Sequence, residues 1–358
     1  MSANNATSGA TGTAEVPVQA NNPINLAADE ATNDTSSEIG GSVASSTASL
    51  SDSIRDFRVE NGRTYHKYKD GRYHAPNDER ENERLDLQHH LCLLTLDNRL
   101  GLAPANDPNS KVTRVLDVGT GTGIWAEDFG EEHPDAEVIG FDLSPTMSDL
   151  LIRGSVPPNV KFEVDDLDEE WNWSQPFDYI HSRFMNASIG NWKTFATKVF
   201  NHLTPGGYVE LVELDLHARS DDGTLKSDSA ISRCTELLGE AAGIFGRPYQ
   251  EIPPLVKVLE DAGFVDVKME VHKWPTNDWP KYPEYKELGI WANENFIAGF
   301  ESFTMAPLTR AHGWTKEEVQ VFLVEVRKDL GNRSIHAYWP MYNIYGRKPS
   351  EKKSVLAH

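Results

Sequence analysis

The sequence predicts an α/β fold: a doubly wound, mostly parallel sheet, preceded by a helical segment and interrupted near its end by a helical insertion. Three observations carry this. From Lys111 onward, short apolar runs alternate with stretches of helical period. The first run ends in a glycine loop that opens a helix, Val115-Leu116-Asp117-Val118-Gly119-Thr120-Gly121-Thr122-Gly123-Ile124-Trp125. Acids stand at the ends of three successive runs, at Asp117, Asp142 and Asp165-Asp166.

In chain order, residues 1–53 hold no aromatic residue, no Lys and no Arg. Ser, Thr, Ala, Asn and Gly cannot bury enough apolar surface to offset the entropy of ordering, so a disordered tail is expected. It reads as an inert leader, with a phosphorylatable regulatory tail as the alternative. Residues 54–110 form an N-terminal helical or lid segment. Its start is rich in Tyr, His, Lys and Arg. Asn77 or Asp78 can then cap a helix that runs to about Leu96. Leu87, Leu91 and Leu94 make one apolar stripe of that helix, while Arg84, Gln88 and His89 lie on another face.

The sheet domain spans 111–348. Strands are expected at 112–118, 136–141, 160–164, 177–180, 208–214, 265–271 and 337–345. Helices are expected around 127–132, 145–153, 192–203 and 253–262. An extra helix at 224–247 and an insertion at 274–335 break the alternation. Residues 349–358 are a C-terminal tail. The basic run Arg347-Lys348 to Lys352-Lys353 suits a nuclear address or a solvated terminus equally.

Composition excludes several functions. The 358 residues carry 34 Lys+Arg against 55 Asp+Glu, a formal net charge of −21. Direct nucleic-acid binding needs clustered cations facing phosphates, and an anionic membrane surface attracts the same cations. Two cysteines, Cys92 and Cys234, cannot make a disulfide framework and suit a reducing compartment. Neither CxxC nor HExxH occurs, so no metal is expected. No secretory leader and no membrane-length apolar run is found. The expected location is intracellular, nucleus or cytoplasm.

The glycine loop lies at the carboxyl ends of the strands, where doubly wound sheets bind ligands. Asp142 ends the second strand and can accept both hydroxyls of an adenosyl ribose. A dinucleotide dehydrogenase would share that acid, but the third glycine, Gly123, falls one position early, and Ile124 holds the place that a dinucleotide loop gives to glycine. Asp117 would repel a pyrophosphate and welcome an ammonium or a sulfonium. Asp165 and Asp166 can accept an adenine amino group, with Leu167 against the ring. These acids favour S-adenosyl-L-methionine over NAD.

This run resembles the class I S-adenosylmethionine-dependent methyltransferases, and Leu203-Thr204-Pro205-Gly206-Gly207-Tyr208 is similar to their turn before the fifth strand. The resemblance implies a Rossmann-like sheet of seven strands with the last antiparallel. It also implies that Gly119, Gly121 and Gly123 line the methionine and ribose and that Asp142 binds the ribose. Tyr65-His66-Lys67-Tyr68-Lys69-Asp70-Gly71-Arg72-Tyr73, Pro76-Asn77-Asp78, Glu83-Arg84, Asp86, His89-His90-Leu91, Tyr179-Ile180-His181-Ser182-Arg183 and Glu210-Leu211-Val212-Glu213 resemble LaeA-like (UMTA-type) fungal methyltransferases over about 60–348. That family includes regulators of secondary metabolism that work with velvet-type nuclear proteins, and enzymes inside biosynthetic clusters. The expected reading is a LaeA-like regulator, with a velvet-type protein as partner. The alternatives are a tailoring enzyme with a small-molecule acceptor, or a cofactor-binding fold without turnover.

Methyl transfer needs a base only where the acceptor arrives protonated. His181, Arg183, Tyr65 and His89 are the candidates, each with a packing role as the alternative, and no catalytic residue is assigned. Residues 274–314 hold nine aromatic residues and are expected to cap the acceptor site. Trp279 and Tyr282 are expected in the pocket wall, while Phe296, Phe300 and Phe303 recur at the helical spacing of ordinary packing.

Overall fold

The computed structural model describes residues 57–66, 73–144 and 156–350. The expected tail at 1–53, the helix at 145–153 and most of the C-terminal tail lie outside them.

Two strands that hydrophobic period does not reveal come first. β1 (Phe57–Glu60) and β2 (Arg63–His66) pair antiparallel across Asn61-Gly62. These turn residues have φ of 53° and 85°, and a turn with both φ positive is one of the two types whose twist matches the strands in a two-residue hairpin. The Asn-Gly pair was the available signal. α1 (Glu79–Thr95) follows, capped by Asp78, whose carboxylate accepts from Glu81 N at 3.1 Å. α1 buries Leu91 and Cys92, but also Glu81, Arg84, Gln88 and His89. Its polar face is therefore an interior face.

The main sheet begins with β3 (Arg114–Val118), the glycine loop and α2 (Ile124–Glu132). β4 (Glu137–Asp142), β5 (Val160–Val164), β6 (Phe177–Arg183), α3 (Trp192–His202) and β7 (Leu203–Leu214) continue it. Then come α4 (Ala230–Ile244), α5 (Leu255–Ala262), β8 (Val265–Pro275), α6 (Pro283–Ala311), α7 (Lys316–Leu330) and β9 (Tyr338–Arg347). The strand order is β5-β4-β3-β6-β7-β9-β8. β3 to β7 are parallel, and β9 runs antiparallel to both β7 and β8. This is the expected seven-stranded doubly wound sheet.

Alternation along each strand divides its residues between two cores. Val115, Val138 and Tyr179 pack with Trp125 and Phe129 on one face. Leu116, Ile139 and Ile180 pack with Phe195, Val199 and Leu259 on the other. Register places the carboxyl ends side by side, with Val118 opposite both Phe141 and Ser182. The glycine loop, Asp142 and Arg183 consequently emerge at one end of the sheet.

A third core joins the insertion to the N-terminal segment. α6 packs on α1, α4 and α7, and Phe296, Phe300, Trp274, Leu91 and Trp339 meet inside it. Trp279 does not serve the pocket. It is 3% exposed, its Nε1 donates to Ala337 O at 2.9 Å, and its backbone N donates to Asn277 Oδ1 at 3.0 Å. It pins the entry to α6 against the start of β9. Tyr282 is 42% exposed, at the N-cap of α6. The cap wall is therefore not built from Trp279 and Tyr282. Truncating Trp279 to Ala is expected to cost about 3–5 kcal/mol, the range for a buried aromatic, with cofactor affinity kept. Thermal melting and calorimetric titration check both parts.

No helix among the described residues is long and apolar enough to cross a membrane.

Candidate functional site

One cavity of about 320 Å³ opens at the carboxyl ends of β3, β4, β6 and β7. On one side it meets Gly119, Gly121, Asp142, Asp165, Asp166 and Leu167. On the other it meets Phe296, Phe300 and Phe303 of α6, with Phe245 and Trp339. The three phenylalanines read as ordinary packing do pack together, and the same helix face is the cavity wall.

The glycine loop turns on φ of +71° at Gly119 and +59° at Gly121, in the left-handed region that side chains disfavour. A Cβ on Gly121 would meet only Leu85 Cδ1 of α1, at 3.6 Å. Gly123, at φ +90°, is the N-cap of α2 and does not line the cavity, so its part is the turn rather than contact. Thr122 Oγ1 donates to Asp86 Oδ1 at 2.8 Å, tying the loop to α1.

Asp142 accepts from Gly121 N and Ser144 N, both at 2.9 Å, through different carboxylate oxygens. Each oxygen keeps a lone pair, so the carboxylate suits a pair of adjacent hydroxyls. Burial raises its pKa, against the lowering by those two N–H groups. Asp117 is 3% exposed and lines the cavity with both oxygens engaged. Thr120 Oγ1 donates to Oδ2 at 2.6 Å, and His181 Nδ1 lies 2.7 Å from Oδ1. A cation would share Asp117 with these two partners. Asp165 accepts from Asp166 N at 2.7 Å, and Asp166 accepts from Asp168 N at 2.9 Å, which sets the turn after β5.

Of the four candidate bases, only Arg183 lines the cavity. His181 is 1% exposed and stacked on Trp125 with ring centroids 3.8 Å apart. Its contact with Asp117 places the proton on Nδ1. His89 Nε2 binds Asp128 Oδ2 at 2.8 Å, and Tyr65 lies under Arg310 in the N-terminal segment. These three hold structure.

Other polar residues at the cavity were not legible as such. Asn295 is 1% exposed and accepts from Arg84 Nη1 at 2.9 Å. Arg84 donates through Nε and Nη2 to Glu81 Oε1 at 3.0 and 2.7 Å, and its guanidinium lies 5.0 Å from the Phe303 ring centroid. Two acids of β7 divide their work. Glu210 accepts from Leu102 N, Ala103 N, Asn106, Tyr179 and Asn343, and so fastens the N-terminal segment to the sheet. Glu213 lines the cavity and accepts from Met185 N at 2.9 Å and Asn186 N at 3.2 Å, holding the turn after β6. Burial pushes the Glu213 carboxyl up to about 8.

The native state thus holds the Glu213 proton more tightly than the unfolded chain does. Its contribution is full below the ordinary Glu value of 4.5 and is lost as pH rises towards about 8. The melting-temperature advantage of the wild type over Glu213→Gln is expected to shrink across that window. A gap that stays constant or widens with pH would contradict it.

A parallel sheet with one antiparallel strand, a glycine loop after its first strand and a carboxylate after its second define a class I methyltransferase. The family model described as "Methyltransferase domain" matches residues 85–268. "Methyltransferase pytC" of Aspergillus terreus is 41% identical over 306 residues, covering 85% of this chain and 92% of that protein. "Secondary metabolism regulator LAE1" of Cochliobolus heterostrophus is 35% identical over 297 residues, covering 82% and 95%. A solved phosphoethanolamine N-methyltransferase of Haemonchus contortus, in complex with S-adenosyl-L-methionine, is similar at a TM-score of 0.43 and 18% identity, covering 75% of this chain and 53% of that one. The chain belongs to the methyltransferase-domain family, in its LaeA-like fungal group. It is an S-adenosylmethionine-dependent methyltransferase.

Proposed function

We propose that this enzyme methylates a small-molecule acceptor of fungal secondary metabolism. The observation that carries the reading is the continuity of the cavity. It runs from Asp142 and the glycine loop to an aromatic wall on α6, so an apolar acceptor and the cofactor share one space. In this reading Asp142 takes the ribose hydroxyls, and Gly119 and Gly121 let the cofactor approach the backbone. Asp165 and Asp166 face the adenine beside Leu167, and Asp117, held by His181 and Thr120, faces the cationic end. S-adenosylmethionine supplies a methyl group already activated on a sulfonium. The chain's own work is to orient the acceptor and exclude water. The 41% identity to the methyltransferase pytC supports methyl transfer as the activity.

A LaeA-like regulator working with a velvet-type protein is the second reading, favoured by the 35% identity to LAE1 over nearly all of that protein. Deleting the gene in the organism that carries it separates the two. A tailoring enzyme leaves one family of products short of a methyl group. A regulator silences many unrelated products, and that outcome would overturn the first reading.

A further inference from the structure

The cavity contains a cation that no carboxylate among the described residues contacts directly. Arg183 ends β6 and lines the cavity, and among the described residues it makes no ion pair. Its Nη1 lies 3.2 Å from His89 Nδ1. The two side chains in contact with it, His89 and Cys92, are neutral at neutral pH, and the acids beyond them, Asp128 and Asp86, are engaged by His89 and Thr122. Burial lowers the pKa of His89, which is already engaged by Asp128, and burial raises that of Cys92, the other α1 group facing Arg183. From β7, Glu213 holds its proton up to about pH 8. Asp215, farther along that chain, is paired with Arg219 at 2.6 Å. Asp117 is bound to His181 and Thr120. A guanidinium stays charged at any accessible pH, and a partly desolvated charge without a partner is unfavourable until an anion arrives.

Two amides at the same cavity also have hydrogen-bonding capacity to spare. Gln88, one turn beyond Arg84 on α1 and next to His89, is 7% exposed, and its side chain makes no hydrogen bond among the described residues. Asn295 uses Oδ1 on Arg84, and its buried Nδ2 has no partner. Buried donors left unpaired are costly, so such groups are commonly completed by a ligand. Phe296, Phe300 and Phe303 offer flat apolar surface beside them.

Resting on the small-molecule reading above, we infer that the acceptor binds as an oxygen anion, a flat enolate or phenolate. Arg183 lies against the charged oxygen, and Gln88 and Asn295 donate to a neighbouring carbonyl-type oxygen. The acceptor gives its O–H proton to solvent on binding. The oxygen then attacks the methyl carbon, forming a C–O bond as the C–S bond breaks, and the electron pair of that bond stays on sulfur as a neutral thioether. Arg183 keeps its proton throughout, so no side-chain base is required. This accounts for a site in which His181 and His89 are both committed elsewhere.

The test uses para-nitrophenol, whose ionised form alone absorbs strongly in the visible, and para-nitroanisole as its neutral counterpart. Each is titrated into the full-length protein held with S-adenosylhomocysteine, at mildly acidic pH. The expected result is growth of the visible band on binding, and affinity for the phenol at least about tenfold above that for the anisole, the size of one charge-assisted hydrogen bond. Arg183→Met should lose both effects, Arg183→Lys should keep most of the affinity, and S-adenosylhomocysteine binding and melting temperature should hold in each variant. Equal affinity for the two probes, or a band that survives in Arg183→Met, overturns the anion assignment and leaves the small-molecule reading standing. Failure of both probes to bind overturns both.

Discussion

Replacing Asp142 by Ala will lower affinity for S-adenosylmethionine at least tenfold. In the proposed contact its carboxylate takes two ribose hydroxyls. A hydrogen bond to a charged acceptor is worth about 1.5–3 kcal/mol, so losing even one is a factor of ten or more. The variant also releases Gly121 N and Ser144 N, which loosens the loop that the cofactor must meet. Asp142→Asn keeps one accepting oxygen and should fall between. The raised pKa adds a direction in pH: affinity should drop on acidification earlier than an ordinary carboxylate would allow, because a protonated Asp142 accepts fewer hydrogen bonds. Titration calorimetry reads all three. Unchanged affinity in Asp142→Ala, or tight binding of NAD, would sink the assignment.

A large loss of stability is also expected from Arg84→Ala. Arg84 and Glu81 are both buried, 5% and 1% exposed, and bonded to each other. Removing one partner of a buried pair leaves the other without compensation and typically costs about 3–5 kcal/mol. The change also removes the donor to Asn295 Oδ1 and the cation over Phe303. The double replacement Arg84→Met with Glu81→Leu should recover most of the lost melting temperature, because the desolvation cost goes with the charges. A single variant that melts like the wild type would show that the pair contributes nothing.

The sheet was legible because two local signals agree with its geometry. Alternation at Val115 and Leu116 sends each to a different core, and the glycine loop marks where the first strand must end. Asp142 was legible by its distance from that loop. The acceptor half was not. α6 is apolar over much of its circumference, so its sequence does not say which aromatic residues meet the cavity and which meet Trp339. Trp279 reads as a pocket aromatic beside two prolines, yet its indole N–H is needed at Ala337 O. Asn295 carries no local signal, since a lone amide in a helix is ordinarily solvated. α1 did carry one: Arg84 and Gln88 lie four residues apart, on a face that only the packing of α6 reveals as interior.

β9 is the last strand made and one of the most deeply placed, with β7 on one side and β8 on the other. Among the described residues β8 pairs with no strand but β9. During synthesis, therefore, β7 presents an open edge and β8 has nothing to pair with until residues 338–347 have left the ribosome. The chain must hold α6 and α7 in waiting while that edge stays exposed, a long-range closure of the kind that slows folding and invites association between unfinished chains. A stop anywhere before Tyr338 would release an unclosed sheet with an adhesive edge, rather than a shorter enzyme.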